Sequence, residues 1–218
     1  MQGLWHRFIS ALTPGVRLTF WTWTVLYLLG VALDFFHVAN LGGALTMTGP
    51  VVLHGQVWRL ASYALLPSGL LDLLVNLISV VVFGGMLERI WTRKDFFIYF
   101  FIAAIGSGLA KLVLQPSSAV GLLGPAPIAF ALMVATGRLF AHEVMVIPPS
   151  FQLTMRQIAI LLAIFGFVMM ALMAGWVNAV IRVAGGGCGL LYLWARTEIG
   201  RPRQARTVAS QRINRLEL

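Results

Sequence analysis

With 59% hydrophobic residues against 11% charged and a mean hydropathy of +0.87, the 218-residue chain carries more apolar surface than one globule of its size can hide. Soluble domains hold about 25% charged residues, so the composition excludes a water-soluble domain and implies an integral membrane protein. The net charge of +9 is a topology signal and not a nucleic-acid footprint, because the basic residues sort by loop.

The first segment, residues 1–16, is polar-mixed ("MQGLWHRFISALTPGVR") and lacks a short apolar core followed by a small-residue cleavage site. It is expected to be a cytoplasmic segment whose following span acts as an uncleaved insertion signal. A spanning helix needs about 20 mostly apolar residues, and such runs fall at 17–36, 67–90, 95–114, 126–141, 156–176 and 178–195. The fold class expected is therefore all-α, a polytopic bundle of six transmembrane helices over 17–195. Asn178 and Arg182 mark the expected break between the last two spans.

Placing the N-terminus in the cytoplasm puts thirteen Lys and Arg on that side, leaving only Arg59, Lys111 and Arg182 on the other. Both termini are then cytoplasmic, as is the basic tail 196–218. That tail reads as a solvated anchor, or as a surface helix with Val208, Ile213 and Leu216 on its apolar side. The loop 37–66 is long, apolar and extracytoplasmic, and is expected to lie partly in the interface as a short hairpin. Trp58 suits headgroup depth there, and the Arg59 guanidinium suits a phosphate or a carbonyl.

Polar groups within spans are the functional candidates. Asp72 and Asn76 sit at i and i+4 on one face of the second span; the plain reading pairs Asp72 with Arg59 or Arg182 and gives Asn76 an interhelical hydrogen bond. Glu88 with Arg89 is expected to cap the inner end of that span. Gly185 and Gly189 have the small-xxx-small spacing that lets helices approach closely. Cys188, the single cysteine, reads as a buried thiol, and the four histidines lack zinc-ligand spacing. No metal and no cofactor are expected.

"VWR" in the first outer loop, "DLLVN" and "FGGMLER" in the second span, "GPAPIAFALMVATGRLF" opening the fourth and "RVAGGGCG" in the sixth resemble, in order and spacing, the rhomboid family of intramembrane serine proteases. The resemblance implies a serine at the head of the fourth span that attacks a peptide carbonyl with a histidine of the sixth as its base, with a histidine of the second span and backbone amides holding the oxyanion. Carried over residue by residue, Gly124 keeps the first glycine of the serine motif, Ala126 falls on the serine and Pro127 on the second glycine. Val183 falls on the catalytic histidine and Asp72 on the oxyanion histidine, beside a retained Asn76. Trp58, Arg59, Glu88, Gly185, Gly186 and Gly189 fall on architectural positions.

This pattern implies a scaffold without its catalyst. Ala126 has no nucleophilic atom, Val183 cannot move a proton, and an ionised Asp72 would set negative charge where an oxyanion needs donors. Pro125 and Pro127 remove N–H groups from the helix start, which is expected near Pro127. Ser117 and Ser118 share the outer loop, with His54 the sole histidine in reach. The expected partners are membrane lipids and other transmembrane proteins, not nucleic acid. Two roles fit: an accessory subunit of a larger membrane complex, or a pseudoprotease that binds transient clients, admitted between spans 2 and 5, through Asp72, Asn76 and Arg182. A remote third, an active protease, needs a nucleophile of another kind. The expected location is a bacterial inner membrane.

Overall fold

The computed structural model describes residues 12–147 and 151–216. Among them, five helices are long and apolar enough to cross a membrane: α1 (Pro14–Phe35), α5 (Leu70–Glu88), α6 (Arg93–Leu114), α8 (Met155–Ala174) and the first half of α9, Trp176–Arg196. The run expected to form a fourth span is instead the short helix α7 (Ala126–Leu139), 14 residues or about 21 Å long, against a hydrocarbon core of about 30 Å. Its length is cut by Pro125 in front and by Phe140, the C-cap, behind. Nine of its 14 residues are buried, so neighbouring helices enclose it.

Between α1 and α5 the expected interfacial hairpin is replaced by three short helices, α2 (Leu41–Leu45), α3 (Gly49–Leu53) and α4 (Arg59–Ser62), followed by a 3-10 turn at Tyr63–Leu65. Asn40 caps α2 by accepting from Gly43 N at 2.6 Å, and Pro50 suits the first turn of α3. The segment is tied down: Met47 and Leu122 exchange two backbone hydrogen bonds, 3.0 and 2.8 Å, in an isolated antiparallel bridge. Met47 itself is fully buried.

The all-α expectation also needs correction between α7 and α8. Strands β1 (Val144–Ile147) and β2 (Phe151–Thr154) form an antiparallel hairpin in the register Val144↔Thr154 to Ile147↔Phe151. Val, Ile and Phe there favour strand, and Thr154 then opens α8 with a capping box to Gln157. The break before α9 falls at Gly175 (φ 87°) and not at Asn178 or Arg182. Only glycine takes that left-handed backbone readily. Asn178 instead donates to the Ala174 carbonyl at 2.7 Å, and Arg182 lies inside α9. Helix α9 (Trp176–Leu216) runs on past residue 196 without interruption. The proposed apolar side of the tail lies outside the described side chains.

Helix α5 contains a π turn at Val80–Gly84. A π turn leaves carbonyls without their usual donors, and Thr136 Oγ1 of α7 lies 3.4 Å from the Phe83 carbonyl and 2.8 Å from that of Leu132. Gly185 and Gly189 of α9 meet α6: a methyl group at Gly185 would lie 2.6 Å from the Ala103 carbonyl, and one at Gly189 would strike the Tyr99 hydroxyl. Gly186 faces Phe130 of α7. The Tyr99 hydroxyl in turn donates to the Ala131 carbonyl at 2.8 Å, so α6, α7 and α9 lock together around one buried phenol.

Glu88 does not cap its own helix. Its carboxylate crosses to the start of α1, accepting from Thr13 Oγ1 (2.6 Å), Gly15 N (2.6 Å) and Val16 N (2.8 Å). These are the orphan donors of a helix N-terminus, satisfied from 73 residues away by an acceptor that also suits the helix dipole. Gly15 is required, because a methyl group there would sit 2.7 Å from Glu88 Oε1. Glu88→Ala is expected to destabilise the protein by about 2–4 kcal/mol, and Thr13→Val by about 1 kcal/mol. Thermal unfolding in mild detergent checks this; equal losses for the two variants would contradict it.

Candidate functional site

Asp72, Asn76, Gly124, Pro127, Arg182 and Gly185 come together at the end of the bundle where α5, α7 and α9 begin and α6 finishes, whereas Glu88 lies at the other end. Gly124 stands just before α7 with φ 106°. Its N–H donates to the Tyr63 carbonyl at 3.1 Å, and a methyl group on it would lie 2.6 Å from Asp72 Oδ2. Glycine is therefore demanded twice, by conformation and by space. Pro125 serves as N-cap, and its carbonyl accepts from Ile128 N (2.9 Å) and Ala129 N (3.2 Å). Helix α7 starts at Ala126, one residue before the expected Pro127. Pro127 has no N–H, so the first turn keeps only the Ala126 N–H to offer a ligand.

Asp72 is paired with neither Arg59 nor Arg182 by an ion-pair contact. It turns to its own helix start: Oδ2 accepts from Ser68 N (2.9 Å) and Ser68 Oγ (3.0 Å), and Oδ1 accepts from Asn76 Nδ2 (2.8 Å). Asn76, only 2% exposed, also donates to the Asp72 carbonyl at 2.5 Å. Its expected bond to another helix is thus a bond within α5. Arg182 acts on Asp72 at longer range, through its charge. Arg59 instead donates to Gln56 Oε1 (2.7 Å) and to the carbonyls of Gly43 (2.8 Å) and Thr46 (2.7 Å), bracing α2 against α4. Trp58, 61% exposed, stands on the rim.

Two hydroxyls that the sequence reading passed over hold the cluster together. The Tyr63 phenol, fully buried, donates to the Ala104 carbonyl at 2.9 Å and interacts with Ser107. Burial pushes its pKa above the ordinary range, outweighing the Ser107 hydrogen bond and the Arg182 charge, so it remains a neutral donor. Ser107 Oγ reaches the Arg182 carbonyl at 3.4 Å. The available signal was a serine between two glycines, "GSG", inside an apolar span. Lys111, one turn further along α6, is 1% exposed with its ammonium on Gln115 Oε1.

Val183, half-buried, adjoins Arg182 on α9. Methyl groups on Gly185 would meet Pro127, which places Ala126 and Val183 on facing helices. Neither side chain carries a hydrogen-bonding atom. The alternative nucleophiles are not coupled to a base: Ser118 Oγ accepts from Val120 N at 3.2 Å, while His54 Nδ1 is engaged with the Pro50 carbonyl at 2.6 Å. Cys188 is half-buried against Gly106. Among the described residues, no group of three or more His, Cys, Asp or Glu comes together to hold a metal ion.

The Rhomboid domain family model matches residues 54–198, about two-thirds of the chain. The chain belongs to the rhomboid family. No curated protein matches it significantly. The match takes in every element of the rhomboid site just described, from Trp58 to Gly189. Against that background, Gly124→Ala is expected to cost about 1–3 kcal/mol. Combining it with Asp72→Ala removes the clash but not the backbone strain, so denaturation midpoints should show partial recovery in the double variant. Full additivity of the two losses would show that the two residues do not meet.

Proposed function

We propose that this integral membrane protein is a non-catalytic rhomboid relative that binds other transmembrane proteins, as an accessory subunit of a larger membrane complex. One observation carries the reading: Ala126 opens α7, and the next residue, Pro127, packs near Gly185 of α9, two residues from Val183. Acyl transfer needs a nucleophile and a base in hydrogen-bond reach, and neither side chain can play either part. The oxyanion subsite supports the same reading. Asp72 fills it with two oxygens that accept hydrogen bonds, where catalysis requires donors.

A rhomboid bundle of six membrane-crossing helices would count α7 as its sixth, enclosed member. With the N-terminus cytoplasmic, the basic ends of α6, α8 and α9 face the cytoplasm, in keeping with the positive-inside rule. A bacterial inner membrane is the location this suggests. Asp72, Asn76 and Arg182 are then the polar groups nearest an incoming helix. The alternative role, binding of transient clients, draws on α8, of whose apolar window only 6% is buried in the protein. Such a helix leaves most of its surface open to a client that enters beside it.

Restoring Ala126→Ser and Val183→His together should give no cleavage of a transmembrane test substrate, because Asp72 and the prolines still deny the oxyanion its donors. Cleavage by that double variant would overturn the non-catalytic reading. Purification of the tagged protein from native membranes, with stoichiometry read by mass spectrometry, separates the roles. A fixed partner set at constant ratio identifies an accessory subunit. Many substoichiometric membrane proteins, enriched when their turnover is blocked, identify a client binder.

A further inference from the structure

Helix α6 carries a groove that shares no lining residue with the cluster at the head of α7. It measures about 560 Å³ and is lined by Phe97, Ile98, Phe101, Ile102 and Ile105, with Arg93 and Lys94 at one end. The spacing explains it. Arg93, Phe97, Phe101 and Ile105 form one i+4 row; Lys94, Ile98 and Ile102 form the next. Rows of this kind make parallel ridges on a helix, with a furrow between them. Here each ridge begins with a cation and continues in apolar side chains.

Among the described residues, neither cation makes an ion pair. The carboxylates nearest in sequence are both engaged: Glu88 on the start of α1, and Asp95 in the Arg196 ion pair at 2.6 Å and the Thr92 cap. That pair is the ion pair found among the described residues. Arg93 and Lys94 are exposed, as are Ile98, Phe101 and Ile105. The length is equally informative. Twelve residues of helix rise about 18 Å, close to one leaflet of a hydrocarbon core of about 30 Å. A partner helix crossing the membrane would need twice that.

We propose that this groove binds one anionic phospholipid, its phosphate on Arg93 and Lys94 and an acyl chain along Phe97, Phe101 and Ile105. The two cations supply the charge complement, and the apolar furrow stops where a leaflet stops. Arginine matches a phosphate through paired N–H donors, and the neighbouring ammonium adds a point charge. The site does not depend on whether the protein is catalytic.

Native mass spectrometry of the full chain tests it, with detergent micelles carrying equal amounts of phosphatidylglycerol and phosphatidylcholine of identical chains. One phosphatidylglycerol should be retained in preference to phosphatidylcholine. Arg93→Gln with Lys94→Gln should weaken that retention by about thirtyfold, given roughly 1 kcal/mol for each basic residue near an anionic surface. Ile102→Trp, which fills the furrow, should reduce retention of both lipids while leaving the charges in place. Arg156→Gln, at another basic helix end, should leave retention unchanged. Equal retention of the two lipids, or an equal loss in the Arg156→Gln variant, would reduce the site to diffuse surface charge and overturn the proposal.

Discussion

The bundle depends on one carboxylate. Glu88 ends α5 and begins nothing of its own; its oxygens close the N-terminus of α1, where a helix entering lipid would otherwise present bare N–H groups. Water can satisfy such donors at a soluble surface, but in hydrocarbon each unsatisfied group costs several kcal/mol. The arrangement fixes the lateral position of α1, because the cap is bought only when the two helices lie side by side with Gly15 against Glu88. From that anchor Val16 and Gly84 come into contact, and the π turn of α5 finds its place against α7.

At the opposite end polar groups form a second structural joint. Asp72 folds back on Ser68 and Asn76, Gly124 closes over it, and Tyr63 ties the preceding loop to α6. The oxygens of Asp72, the Asn76 amide and the Tyr63 hydroxyl are each committed to a neighbour. A catalytic site needs the reverse, groups held ready and directed at a vacancy that substrate will fill. The glycines of α9 carry its close approach to α6 and α7.

The long spans were legible because a run of apolar residues states its own environment; position along the chain is enough. The i, i+4 pairing of Asp72 with Asn76 was legible for the same reason, being local. Glu88 was not, since its partners are 72 to 75 residues away and nothing in "GGMLER" names them. The extent of α7 was legible to within two residues; its enclosure was not, because a helix surrounded by protein reads like one that crosses lipid. The hairpin at 144–154 hid in the same way, among Val, Met and Ile that suit either environment. Tyr63 and Ser107 escaped notice because neutral hydroxyls do not stand out in apolar sequence, although burial makes their hydrogen bonds decisive.

Helix α8 has a different relation to its sequence from any other element. It leaves the bundle at Gly175, and a methyl group on Gly166 would find no protein atom within 4 Å. Its outward residues, among them Leu161, Phe165, Leu172 and Met173, are exposed on the surface of the protein. Lipid asks for apolarity and makes no demand on shape, so these positions are free to exchange Leu, Ile, Met and Phe over evolutionary time. The glycines of α9, held by facing carbonyls and rings, have no such liberty. Within one bundle the chain thus carries two kinds of position, those around α9 bound by shape and those along α8 bound only to apolarity.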